Sequence, residues 1–381
     1  MKKEPYSITA RDLAQAGKDQ IPPELISNTH LIYSSPATLA FNSPGAQGFG
    51  VKRAGLAIPG SVMLLVAPGC CGRNTTLLAS MPEYHNRFFY LMMDETDIVT
   101  GRHLKNIPQA VKEICESLPE MPSVVMICLT CVDALLGTDM ERVCRRAEEK
   151  TGVRVKPCYM YALTREGRKP PMVHVRQSIY SMLEQRSRRS SSVNIMGFFA
   201  PLDDGTELYA MLKSAGVRNI REIGRCKTYE EFQMMAEANF NLLLNPEARF
   251  AAEDLQYKLG IPSVELIRMY QTDRIHRQYE AFGQALGVTF DDTPYRQEAE
   301  AAVAEFQEQY PDTVFAVGEA MNGNPFELAL ALTRYGFKVS EIYGTIAPES
   351  YVYVNKLAQL SPETKIYSNL EPTMLYYSCS T

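Results

Sequence analysis

The stretch Ser61-Val62-Met63-Leu64-Leu65-Val66-Ala67-Pro68-Gly69-Cys70-Cys71-Gly72 decides the fold. An unbroken apolar run of this length, closed by Pro-Gly, is how a strand covered on both faces reads, and Ser61–Val66 is predicted to be one. Working outward, Arg87–Met92, Ser123–Leu129 and Val153–Tyr159 read the same way. Between the second and third of these, Leu104, Ile107, Val111, Ile114 and Leu118 recur at helical spacing. After the third, Thr138 with Glu141 predicts a capping box, and Met140, Val143, Cys144 and Ala147 form the inward stripe of the next helix. Strands and helices that alternate so predict a mostly parallel sheet with helices on its faces.

The polar stretch Glu184–Ser191 ends this unit, and a second opens at Val193–Phe199, followed by a helix carrying Leu208, Met211 and Leu212. Short strands are expected at Arg221–Ile223, Asn241–Leu244 and Ser263–Leu266. A third unit follows the acidic helix around Tyr295–Gln309. It opens at Thr313–Gly318, runs through a helix with Phe326, Leu328, Leu330 and Leu332, and returns through Lys338–Tyr343, with an edge strand at Met374–Cys379. The expected class is α/β, three Rossmann-like doubly wound parallel-sheet units with boundaries at 1–190, 191–290 and 291–381.

Composition narrows the function. A formal charge of -5 gives no pull toward nucleic acid or an anionic membrane surface. The basic run Arg186–Arg189 sits among serines and reads as a solvated linker. No run approaches the ~20 apolar residues of a membrane span, and Met1–Leu13 has no apolar stretch behind its lysines, so a cytoplasmic protein is expected. Its 9 cysteines are then reduced thiols, some available to metal.

Open parallel sheets carry their sites at the carboxyl ends of strands. Two cysteine clusters fall there: Cys70 and Cys71 after the first strand, and Cys131 after Ser123–Leu129. Loops anchored directly on buried strands can preset thiolates, as an iron–sulfur cluster requires. Cys128 and Cys131 have zinc-like spacing, but residues three apart on a strand face opposite ways and no histidine is near in sequence. Cys115, Cys128 and Cys144 read as small buried hydrophobes. His174 reads as a helix-start or packing residue, Glu319 lies at a sheet end within reach of a substrate, and Asp97, Asp133 and Asp139 read as caps or solvated charges.

These motifs together resemble a family. Val66–Cys71 resembles the Gly-Pro-x-Gly-Cys loop of nitrogenase component 1 proteins, with Pro68 and Cys71 matching and Ala67 and Cys70 at the two glycines. Asp94-Glu95-Thr96-Asp97-Ile98-Val99-Thr100-Gly101 resembles its acidic segment, and Thr130-Cys131 with Leu136-Gly137-Thr138-Asp139 its Thr-Cys element. Val193–Gly197, Asn241-Leu242-Leu243 and Leu259-Gly260-Ile261-Pro262 resemble its second-domain strands and loop, so the likeness covers roughly residues 55 to 345.

The resemblance implies a reductase component that takes electrons from an ATP-hydrolysing iron-protein partner through a cluster at a dimer boundary. Cys71 and Cys131 carry over as cluster ligands, with Cys70 the alternate to Cys71. No cysteine stands in Phe41–Ala46, where members with the eight-iron cluster supply one. Two thiolates per chain give four per dimer, so a 4Fe–4S cluster bridging a homo- or heterodimer is expected, with Cys70 leaving a larger cluster open. Asn245 stands where the molybdenum–iron cofactor's cysteine would be, and the C-terminal histidine of that site has no counterpart. A small organic substrate, tetrapyrroles included, is therefore expected in place of dinitrogen, as in the compact tetrapyrrole-reducing members. No Gly-x-x-x-x-Gly-Lys-Ser/Thr run occurs, so the nucleotide is expected on the partner. The alternatives are a metallocluster assembly scaffold and a non-catalytic subunit of a heteromeric complex.

Overall fold

A computed structural model describes residues 4–26, 44–69, 79–160, 169–318, 323–368 and 371–377. The chain opens on β1 (Ser7–Thr9), which joins a sheet completed only at the far end of the sequence. Two compact units result, one of residues 43–267 and one made from the two ends, residues 1–42 and 268–381.

In the central unit, β2 (Ser61–Ala67), β3 (Phe88–Met92), β4 (Val124–Leu129) and β5 (Arg154–Tyr159) form a fully parallel sheet in the order β3-β2-β4-β5. Alternation along β2 and β4 explains why both read as continuous apolar runs. Val62, Leu64, Val66, Val125, Ile127 and Leu129 face the helices Arg102–Ser117 and Met140–Thr151. Met63, Leu65, Ala67, Met126 and Cys128 face the opposite way, onto Val51 and Ala54 of the helix Pro44–Gly55 and Val175 and Ile179 of Pro171–Tyr180. The stripe Met140, Val143, Cys144, Ala147 is buried as expected, but the helix is capped differently. Asp139, not Thr138, is the N-cap, its side chain accepting from Arg142 N, because Thr138 turns its hydroxyl to Asp133.

A second parallel sheet of the same unit has the order β7-β6-β8-β9, from β6 (Ser192–Met196), β7 (Asn219–Arg221), β8 (Phe240–Leu243) and β9 (Ser263–Glu265). The arginine run before it is not simply solvated. Arg186 makes a two-oxygen pair with Glu230 and Arg189 pairs with Glu237, while Arg188 donates to the Asn239 carbonyl.

The unit built from the chain ends holds β10 (Val314–Gly318), β11 (Lys338–Tyr343) and β12 (Lys365–Tyr367) in parallel, with β1 antiparallel on β12. The expected edge strand from Met374 is absent over its described part. Pro372, which cannot donate to a ladder, starts a 3-10 turn, Pro372–Tyr376, capped by Glu371. Glu327 of the helix Pro325–Arg334 is 2% exposed and anchors the start of this unit's second segment. Its carboxylate accepts from Tyr270 N at 2.9 Å, Gln271 N at 3.2 Å and Gln271 Nε2 at 2.9 Å. Glu327→Ala leaves these donors unpaired, and a loss of about 3 kcal/mol is expected in denaturant unfolding. A loss below ~1 kcal/mol would mean that water replaces the carboxylate.

Candidate functional site

The order β3-β2-β4-β5 has a switch point between β2 and β4. The chain leaves β2 toward a strand on one side and later returns to lay β4 on the other, so the connections diverge and leave a crevice at the carboxyl ends. Val66 and Leu129 are register partners there, on neighbouring parallel strands. Pro68-Gly69 follows β2, and Cys131 opens the short helix Cys131–Leu136 directly after β4. Cys131 thus starts at the switch point. Cys70 and Cys71, like Glu319, lie outside the described residues.

Below the Cys131 helix is a polar chain that starts at the exposed Asp94 and Arg102 and ends at the buried His103 and Asp133. Asp94 and Asp97 form a reciprocal capping box at the start of the helix Glu95–Thr100. Arg102 Nε donates to Asp97 Oδ1 at 2.5 Å, and this bond, with the Asp94 amide, holds the Asp97 carboxyl below its usual range. The Asp97 carbonyl faces His103 Nδ1 at 3.0 Å, and His103 Nε2 meets Asp133 Oδ1 at 3.2 Å. With Nδ1 donating to a carbonyl, one proton must lie between Nε2 and Oδ1. Asp133 is wholly buried, and burial raises its carboxyl, against the opposing pull of His103 and Thr138. Among the described residues its Oδ2 has no hydrogen-bond partner, and neither has the buried hydroxyl of Thr130.

Asp97 and Asp139 are caps, as read from sequence, but Asp133 is neither a cap nor a solvated charge. Placed three residues into a loop-helix turn under the sheet end, it is paired internally. His103 is a site residue that the motifs alone do not single out. The signal that could have found it is spacing, since His103 stands four residues before Ile107 and so continues the inward line through Val111 and Ile114.

The remaining described thiols are inert. Cys115, Cys128, Cys144, Cys158 and Cys226 form no disulfide, and Cys128, Cys144 and Cys158 are buried in apolar clusters. Burial pushes the Cys144 and Cys158 thiols far up and that of Cys226 to about 11, so none is a thiolate at neutral pH. Among the described residues no group of three or more His, Cys, Asp or Glu is arranged to hold a metal. His174 packs edge-on against Tyr159 at 5.3 Å and lines an open polar groove beside Lys156 and Lys169. Asn245 uses its side chain to cap the Glu247 amide at 2.9 Å.

A family model described as nitrogenase component 1 type oxidoreductase matches residues 46–369. The chain belongs to this family. Within nitrogenase component 1, it is similar to the nitrogenase iron-molybdenum cofactor biosynthesis protein NifE of Rhodobacter capsulatus, 27% identical over 53% of this chain and 44% of that protein. It is also similar to the nitrogenase molybdenum-iron protein alpha chain of Methanosarcina barkeri, 23% identical over 61% of this chain and 43% of the relative. The match therefore spans less than half the length of either relative. The solved structure of nitrogenase Cp1 at pH 6.5 shares the fold, with a TM-score of 0.66, 17% identity, and coverage of 94% of this chain and 82% of that one. Among the described residues no helix is long and apolar enough to cross a membrane.

Proposed function

We propose that this chain is a cytoplasmic nitrogenase-like reductase component that accepts electrons from an ATP-dependent iron-protein partner and reduces a small organic substrate, tetrapyrroles being the leading class. A cluster held by Cys71 and Cys131, with Cys70 the alternate to Cys71, and completed by the same residues of a second chain is the electron carrier. The observation that carries this reading is that the β2 and β4 loops start from register partners at the switch point of one parallel sheet. Thiols anchored on such ends are held at set separation, and the buried Thr130 hydroxyl and Asp133 Oδ2, on either side of Cys131 in the sequence, lack a hydrogen-bond partner among the described residues, which supports a polar group binding near this strand end.

When bound, a cluster with all-thiolate ligation supplies one-electron reduction at potentials that reach about -700 mV. The protein's part is placement. The strand-end anchors fix the ligand backbone, and the apolar faces of β2 and β4 keep water from below the loop. Asn245, whose side chain caps the Glu247 amide, offers no thiolate at the position where the resemblance implies the ligand of a second cofactor.

Anaerobic purification with iron and sulfide analysis, followed by electron paramagnetic resonance of the reduced protein, tests the reading. About four irons and four sulfides per two chains are expected. Iron-free protein from cells that load other clusters would overturn it. A scaffold that assembles a metallocluster for transfer is the second reading, favoured by the biosynthetic name of the Rhodobacter capsulatus relative. The two separate on turnover: the reductase consumes substrate with an ATP-driven electron donor, whereas the scaffold gives up its iron to an acceptor protein and shows no turnover.

A further inference from the structure

The helix that begins at Cys131 has six residues and ends at Gly137 in the left-handed region, φ 64°. So short a helix does not hold its own position in water, because the cost of nucleating it is not recovered over one and a half turns. The end of β4 holds its first residue from one side, and a contact from another element is needed to fix the turn that follows. Among the described contacts the polar one from another element is made by Asp133, two residues on from Cys131, to His103.

His103 is itself held. Its Nδ1 faces the Asp97 carbonyl, and Asp97 is locked by the Asp94 capping box and by Arg102. Thr138 reaches the same Asp133 oxygen at 3.4 Å and closes the turn after the helix. A continuous path of bonds therefore runs from the segment after β3 to the helix after β4, and β2 lies between those two strands. Both His103 and Asp133 are fully buried, at 1% and 0% exposure. A well-packed apolar pair at such a site would usually be as stable or more so, and among the described residues Asp133 Oδ2 has no partner to offset its burial.

We propose that His103 and Asp133 form a positioning strut that sets the placement of Cys131, and through it the reduction potential of the cluster assigned to this loop. The inference rests on the cluster reading above. Neither residue is a ligand. They act as the partners outside a metal's ligand shell do, by orienting a ligand whose own bonds tune the centre.

The test uses anaerobically purified full chain and reads iron content, g values and midpoint potential, with circular dichroism as the check on folding. His103→Leu is expected to bind iron yet change the reduction equilibrium about tenfold, which is about 59 mV for one electron, with altered g values. His103→Gln, which can still bond to Asp133, is expected to return both readouts toward wild type. Asp133→Asn keeps a bond to His103 and removes the ionisable carboxyl, and is expected to resemble wild type as well. Unchanged potential and g values in folded His103→Leu would overturn the strut. A shift in Asp133→Asn as large as in His103→Leu would overturn it too, by assigning the effect to charge and not to position. Should His103→Leu fail to fold, Thr138→Val removes one bond from the same oxygen. A smaller shift of potential then supports the strut, and no shift overturns it. Iron-free wild-type protein sinks the cluster reading itself, and is a different result from any of these.

Discussion

Cys131→Ala and Cys71→Ala chains, purified without oxygen, are expected to retain less than roughly a tenth of wild-type iron and to lose the resonance of the reduced cluster. The size of the effect follows from ligand number. In the proposed assignment each chain offers two strand-end thiolates, so a substitution in the gene removes two of the four that a dimer would supply. Two thiolates cannot hold a cubane against chelation, so the loss is all or none and not graded. The controls come from the same chain. Cys128→Ala and Cys144→Ala remove thiols that are buried in apolar clusters, and their iron content is expected to stay at wild type. Cys70→Ala distinguishes the two neighbours after β2: retained iron leaves Cys71 as the ligand, while iron lost in Cys70→Ala but kept in Cys71→Ala exchanges them. Iron at wild-type level in both Cys71→Ala and Cys131→Ala would remove the ligand assignment, whatever the fold.

The strand ends that carry this assignment are legible in the sequence for a definite reason. Val62–Val66 and Val124–Leu129 are apolar at every position, a pattern that only a strand covered on both faces tolerates, and the chain breakers or polar residues after each run mark where the loops begin. The ten expected strands up to Tyr343 appear within a few residues of their expected limits. What escapes a reading of the sequence has a physical cause in each case. β1 and β12 are short, and β1 pairs with residues more than 350 positions away, so no neighbouring segment announces the pairing. Thr138 and Asp139 are both good caps in isolation, and only the buried carboxylate of Asp133 decides between them. The His103–Asp133 contact joins elements 30 residues apart, so neither residue's own neighbourhood announces it.

The second large effect is expected at Gly197, which follows β6 at the other switch point of the central unit, between β6 and β8. Its φ is 129°, a region that side chains rarely enter. A Cβ placed there would stand 2.7 Å from Asn245 N and 2.8 Å from Asn245 Cβ. The obstacle is backbone, and it cannot rotate away, because Leu244 N donates to the Met196 carbonyl at 2.9 Å and Asn245 is committed to capping Glu247. The Gly197 carbonyl is fixed from the other side by the buried Arg176, whose guanidinium also pairs with Glu247 at 2.7 Å and lies over the Phe199 ring. Gly197→Ala therefore combines backbone strain of about 1–3 kcal/mol with overpacking of similar size, roughly 4 kcal/mol in total. A drop in Tm of roughly 10 °C or more for this unit follows. Gly152→Ala is the matched comparison, since Gly152 has φ 72° at a helix C-terminus and a methyl group added there would meet nothing within 4 Å. It carries strain alone, and about 1 kcal/mol is expected. If thermal unfolding gives equal losses for the two alanines, the close approach of Gly197 to Asn245 is not what demands glycine there. If Gly197→Ala alone is severe, the close packing of the β6 turn on Asn245 is what demands glycine there.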